Sequence, residues 1–224
     1  MLTDGVFAIA LTLLAFDLHL PDVAEHESRL VLLGRLVALW PRLLAFVQSF
    51  AILALYWALH HHLARHLRRA DGPLVWLHLA FLLTIAMQPF PTAVVGAHFL
   101  DPAAAILYGG SLVLTNGCFW AIWGYATTDR RLVRPDLSPR LVRHYHRLLG
   151  APTLLFGLLV LAGVWDLRFA TRAPLVLTVA AAYLLAIGYL LLGLRGFLEP
   201  RHPIAPTATG HVPPREETSG APPQ

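Results

Sequence analysis

Read for periodicity, the chain is a succession of long apolar runs separated by short connections rich in arginine, proline or glycine. Six runs are candidates for the roughly 17–25-residue helix that crosses the hydrocarbon of a bilayer. The first extends from about Asp4 to Leu20 and stops at Pro21. The second covers about Leu43 to Leu63, preceded by Trp40-Pro41, where a proline is tolerated at a helix start. The third, about Leu74 to Phe99, is interrupted by Pro89 and Pro91, which predicts a kink or an early end. The fourth is about Ala103 to Ala126; Pro152 is expected to open the fifth, to about Leu167, and Pro174 the sixth, to about Phe197. Between the first two runs, Glu25 to Trp40 sets Arg29 and Arg35 against Leu32, Leu33, Leu36 and Leu39 at helical spacing. That pattern fits either a short amphipathic helix on the outer face or an extension of the second helix.

Composition strengthens this picture. Apolar residues make up 57% of the 224 positions and charged ones 13%, against about 25% charged in a soluble domain. A water-soluble fold would need more polar surface to cover it; lipid removes the need. The expected fold class is therefore all-α integral membrane, with six transmembrane helices per subunit. Residues 1–199 form the transmembrane domain, and residues 200–224, rich in Pro, Thr, Gly and charge, form a disordered cytoplasmic tail. The first run opens on Asp4 without arginine and ends Leu18-His19-Leu20-Pro21, so it reads as a membrane helix and not a signal peptide.

Charge adds orientation. All 17 basic residues are arginine. Twelve of them (Arg65, Arg68, Arg69; Arg130, Arg131, Arg134, Arg140, Arg143, Arg147; Arg195, Arg201, Arg215) fall on the side that also holds both termini. Arg29, Arg35, Arg42, Arg168 and Arg172 fall on the other. The positive-inside rule then places both termini in the cytoplasm of a multi-pass cell-membrane protein. Arginines clustered at helix ends are topology signals, so no nucleic-acid partner is expected.

The candidate chemistry is thin. His62 and His66 share a helix face at i, i+4, a spacing that can hold a metal. No carboxylate follows in the pattern of a zinc hydrolase helix, and His144 and His146 flank Tyr145 in what reads as a solvated arginine-rich loop. Cys118 stands alone. Neither a metal site, a cofactor nor an enzymatic activity is expected. Asp4, Asp17, His78 and Asp166 lie near run ends, whereas coupled transporters keep an ionisable group near the midplane.

The first run is the most informative. At 100° per residue Ile9, Leu13, Phe16 and Leu20 share one narrow face, flanked by Thr12. Such a stripe is either a packing seam or, around the axis of a symmetric oligomer, a stack of hydrophobic rings that gates by dewetting. The pattern alone leaves both open.

Several local motifs bear on the choice. Leu2-Thr3-Asp4 is followed by Ile9 and Thr12; then come Ser49-Phe50, Tyr56-Trp57, His60-His61, Arg69-Ala70-Asp71 and Pro89-Phe90-Pro91-Thr92. Together they resemble the transmembrane protein 175 family of potassium-permeable channels, whose first helix carries Arg, then Phe-Ser-Asp, then Ile and Thr at matching distances. The resemblance covers about the first 100 residues; beyond them it rests on helix number and Pro152. Leu2-Thr3 replace Phe-Ser, and the upstream Arg is absent because the chain begins inside the motif, through a late start or a truncation.

The resemblance implies a homotetramer embedded in the bilayer with the first helix lining a central pore. It implies Ile9, Leu13 and Phe16 as the pore constriction, Thr12 as a polar layer, and Asp4, Trp57 and His60 as a structural polar network joining helices one and two. The implied function is a potassium-permeable, moderately selective cation channel. A small-solute or proton-coupled transporter is the alternative, and a membrane enzyme using the histidine cluster a third.

Overall fold

The computed structural model describes residues 1–18, 29–99 and 101–169. The expected sixth helix (174–197) and the tail (200–224) lie outside the described residues. Among the described residues the chain is helical, with one isolated bridge between Leu67 and Val133.

Helix α1, Leu2–Leu13, tightens into a 3-10 turn over Leu14–Asp17. Helix α2, Arg29–Ala38, is followed after Leu39 by α3, Trp40–Ala64. Leu39 keeps helical dihedrals, and Leu30–Ala64 is one apolar helical stretch. Of the two sequence readings of this region, the extension of helix two is the one observed. Helices α4, Gly72–Met87, and α5, Pro89–Ala97, are two parts of one span that breaks at Gln88. Pro89 and Pro91 lack the amide hydrogens that would continue the ladder, and the Gln88 amide bonds Ile85 at i−3. Helix α6, Pro102–Thr127, is capped by Asp101, whose carboxylate accepts from the Ala103 amide at 2.8 Å. It stops where Asp129 and Arg130 take positive φ (51° and 54°).

Helix α7, Pro139–Phe169, departs from the sequence reading. Pro152 sits inside it and does not open it, and the segment holding His144 and His146 is helix, not loop. The proline leaves the Leu148 carbonyl without its i+4 amide. One residue on, the Leu149 carbonyl accepts from the Asn116 carboxamide (2.8 Å) and the Thr153 hydroxyl (2.9 Å). Asn116 from the neighbouring α6 and Thr153 of α7 itself thus stiffen the weakened turn, the condition under which apolar helices accept proline.

Among the described residues, four stretches are long and apolar enough to cross a membrane: Leu30–Ala64, Gly72–Ala97, Pro102–Arg130 and Pro139–Trp165. Leu2–Phe16 is a shorter apolar helix. Helix α7 packs mainly on α6, α6 on α4, α5 on α3, and α1 against α4 and α3. The centre is aromatic. Phe81 stacks on Phe119 at 5.0 Å between ring centroids, and Phe7 and Tyr56 meet Phe81 at 6.1 and 6.2 Å. Water cannot drive helices together inside lipid, so such contacts and interhelical hydrogen bonds hold the bundle. Buried Ser49 and Thr92 hydroxyls lie 2.9 Å apart, and Ser49 also meets the Tyr108 hydroxyl at 2.9 Å, linking α3, α5 and α6. Gly96 lets α5 approach α3 until a Cβ there would lie 3.2 Å from the Arg42 Cα.

The two arginine-rich connections meet at one end of the bundle. The Arg68 amide donates to the Leu132 carbonyl (2.8 Å) and the Arg134 amide to that of His66 (3.0 Å).

Candidate functional site

Helix α1 has two unlike faces. Phe7, Ala10 and Leu14 are buried in the subunit, and Leu11 packs partly against the same core. Ile9, Leu13 and Phe16 point away, 61%, 43% and 76% exposed. The stripe legible in the sequence is therefore the side of α1 that its own subunit leaves uncovered. The 3-10 turn sharpens it: at three residues per turn, positions i and i+3 eclipse, so Phe16 lies nearly over Leu13. The three side chains then stand about 5–6 Å apart along the helix.

Thr12 is exposed beside this stripe. Its hydroxyl hydrogen serves the helix backbone, donating to the carbonyls of Ile9 (2.8 Å) and Ala8 (3.1 Å). With the hydrogen so occupied, the oxygen lone pairs are left to accept, or to face a cation.

At the other end of α1, the Trp57 indole N–H donates to the Asp4 carboxylate at 3.0 Å. His61 Nε2 lies 3.8 Å from the same carboxylate oxygen, and its ring packs on Trp57 at 4.7 Å. His60, expected in this contact, is elsewhere. Its ring lies 4.7 Å from that of His78 and about 6.3 Å from those of Phe81 and Phe119, with Nδ1 buried and unbonded. The reason is rotational: Trp57 and His61 are four residues apart and share a face, while His60 is turned about 100° inward. A second contact was not anticipated: the Thr3 hydroxyl meets His78 Nε2 at 3.1 Å, tying α1 to α4. Asn116 was also missed. It receives the Tyr56 hydroxyl (3.3 Å) and donates to the Thr153 hydroxyl (2.7 Å).

Asp71 has two roles. One carboxylate oxygen caps α4 by accepting from the Leu74 amide at 3.0 Å, and the other accepts from the Tyr125 hydroxyl at 2.8 Å. The Tyr125 bond first, then the amide, hold its carboxyl below the ordinary range. His66, outside the spans, is pushed toward its neutral form by burial and by the charges of His62 and Arg134. Among the described residues no group of three or more His, Cys, Asp or Glu is placed to hold a metal ion.

This arrangement has known counterparts. Residues 1–89 match the family described as endosomal/lysosomal potassium channel TMEM175. A potassium channel of Streptomyces collinus is 32% identical over 191 residues, 84% of this chain and 87% of that protein. The chain belongs to the TMEM175 family. A potassium channel of Chamaesiphon minutus is 34% identical over 134 residues, 58% of this chain and 66% of its own length. The human endosomal/lysosomal proton channel TMEM175 is 30% identical over 98% of this chain, which spans 47% of the human protein.

The crystal structure of a lysosomal potassium-selective channel TMEM175 homologue from Chamaesiphon minutus superposes with a TM-score of 0.70 at 27% identity, covering 86% of this chain and 94% of that one. A crystal structure of a variant of the potassium channel MtTMEM175 gives 0.61 at 14% identity, over 88% and 90% of the two chains, and shares the fold. The TMEM175 match over residues 1–89 takes in α1, α3 and α4, and with them Asp4, Ile9, Thr12, Leu13, Phe16, Trp57 and His61.

Proposed function

We propose that this TMEM175 family member is a potassium-permeable, moderately selective cation channel, assembled as a homotetramer around α1. The observation that carries the reading is the uncovered face of α1. Ile9, Leu13 and Phe16 point out of the subunit, while Phe7, Ala10 and Leu14 on the other side of the helix are buried. Around a four-fold axis each becomes a ring of four apolar side chains. Such rings offer an ion nothing to replace its water, so they restrict current sterically and by dewetting. Thr12 adds four hydroxyl oxygens beside them, oriented to accept a cation because their hydrogens are held by Ala8 and Ile9. Discrimination between cations then comes from dehydration at a narrow apolar gate, without a filter of backbone carbonyls.

In this reading Asp4, Trp57 and His61 are structural and brace α1 against α3. Six transmembrane helices in residues 1–199 place both termini in the cytoplasm of the cell membrane. Two findings support that orientation: the arginine-rich connections meet at one end, and the α1 start reaches Trp57 and His78 at that same end. The test is potassium flux into liposomes containing the purified protein. Flux should follow the electrochemical gradient in the absence of any exchanged solute; flux that requires a counter-transported solute or proton would support a transporter instead.

A further inference from the structure

Helix α7 presents an outer face of two kinds. Arg140, Arg143 and Arg147 follow one another at i, i+3 and i+7 and are exposed. The same face continues through exposed Ala151 into Leu154, Leu158 and Leu161, which are 67%, 62% and 65% exposed. The opposite face, with Tyr145 and Leu149, is buried against the bundle. None of the three guanidinium groups has a hydrogen-bond or ion-pair partner among the described residues. The nearby acid Asp136 is already held through both oxygens by Arg134, at 3.2 and 3.0 Å.

Distance fixes the level of this stripe. From Arg147 to exposed Trp165 the helix rises about 27 Å, close to the roughly 30 Å thickness of the hydrocarbon. With the apolar stretch in the acyl layer and Trp165 at one interface, Arg140, Arg143 and Arg147 stand at the headgroup level of the other. Helix α7 packs chiefly on α6, whereas α1 packs on α4 and α3. With α1 at the axis, α7 faces lipid.

We propose that this face is a binding site for an anionic phospholipid, its phosphate held by Arg140, Arg143 and Arg147 and an acyl chain lying along Leu154, Leu158 and Leu161. Arginine suits the role, because its planar fork pairs with two phosphate oxygens at once and stays charged at any working pH. Three such groups, one helical turn apart, span about 10 Å along the helix, enough for one headgroup to engage two of them. That α7 faces lipid rests on the placement of α1 at the axis, and the assignment of its arginines to the cytoplasmic leaflet on the orientation, both proposed above. The two readouts remain separate: lipid binding lost with ion flux intact would overturn this site alone, and flux lost with lipid binding intact the pore reading alone.

The experiment titrates the purified full chain in detergent with dioleoyl phosphatidylglycerol, dioleoyl phosphatidylcholine or inorganic phosphate. It reads melting temperature and, by native mass spectrometry, lipid bound per subunit. Phosphatidylglycerol should bind and stabilise, phosphatidylcholine and inorganic phosphate should not. Each of R140Q, R143Q and R147Q should raise the half-saturating lipid concentration roughly fivefold, and the triple variant on the order of a hundredfold. The singles carry the test if the triple does not fold. The charge-matched triple R65Q/R68Q/R69Q, on the other arginine-rich connection, should shift it little. Equal binding of phosphatidylcholine, equal stabilisation by inorganic phosphate, unchanged affinity in the three single variants, or an equal loss in R65Q/R68Q/R69Q would each overturn the site.

Discussion

Asn116 is the polar hinge pin of this bundle, and replacing it by leucine measures how much that is worth. The side chain is 1% exposed. It donates to the Leu149 carbonyl at 2.8 Å and the Thr153 hydroxyl at 2.7 Å, and accepts from the Tyr56 hydroxyl at a longer 3.3 Å. Interhelical hydrogen bonds in membranes average about 0.6 kcal/mol and reach about 1.7. Two short bonds and one long one therefore put Asn116→Leu at about 1–2 kcal/mol. The loss stays in that range because the Leu149 carbonyl keeps the Thr153 hydroxyl at 2.9 Å. Tyr56→Phe removes the long bond to Asn116 and should cost about 0.5 kcal/mol. Because both act through one network, the double variant should lose less than the sum of the two. Reversible unfolding by sodium dodecyl sulfate in bicelles gives all three values. If Asn116→Leu matches the parent, or Tyr56→Phe costs as much as Asn116→Leu, these bonds do not hold α7 across its internal proline.

Other outcomes follow from the same contacts. Asp4→Ala, which also removes the Trp57 bond, should lower assembly more than His61→Ala on size-exclusion chromatography, and the pair together should cost little more than Asp4→Ala alone. Asp4→Ala with His60→Ala should be additive, because His60 packs in the aromatic centre; additivity for the His61 pair would contradict the placement of that contact. Gly96→Ala should destabilise by about 1–3 kcal/mol, since its Cβ meets the Arg42 backbone and not a movable side-chain tip. Asp71 makes stability depend on pH. Its carboxyl is held below the ordinary value in the fold, so the stabilisation is complete above the unfolded-state value and is lost as pH falls through the folded one. Melting temperatures taken from neutral pH to about pH 3 should fall less steeply in Asp71→Asn than in the parent, and parallel curves would remove Asp71 from the acid response.

What the sequence showed and what it hid divide along physical lines. Apolar run length revealed four of the six expected spans, and Pro89 with Pro91 revealed the break between α4 and α5, because a missing amide acts locally whatever packs around it. The 100° rotation separated Ile9, Leu13 and Phe16 from the packed side of α1 for the same reason. Pro152 misled because it looks like a helix start, and only Asn116, from α6, shows why α7 continues through it. The first turns of α7 read as loop because arginines such as Arg140, Arg143 and Arg147 also mark the ends of spans; their helical spacing against Leu141, Tyr145 and Leu149 is the sign that they belong to a helix. His60 and His61 differ by one residue, and the choice between them depends on how α3 is rotated toward α1, which a single sequence does not encode in any short pattern.

The central claim is that the face of α1 bearing Ile9 lines the ion path, and Ile9→Asn tests it most directly. A carboxamide in place of each apolar side chain should wet the constriction. Under bi-ionic potassium and sodium conditions, in bilayers holding correctly assembled protein, the account predicts a larger cation current and a reversal potential moved toward zero. Leu14→Ala, on the buried face, should lower stability without that change in reversal potential. Unchanged conductance and reversal potential in Ile9→Asn would take α1 out of the pore.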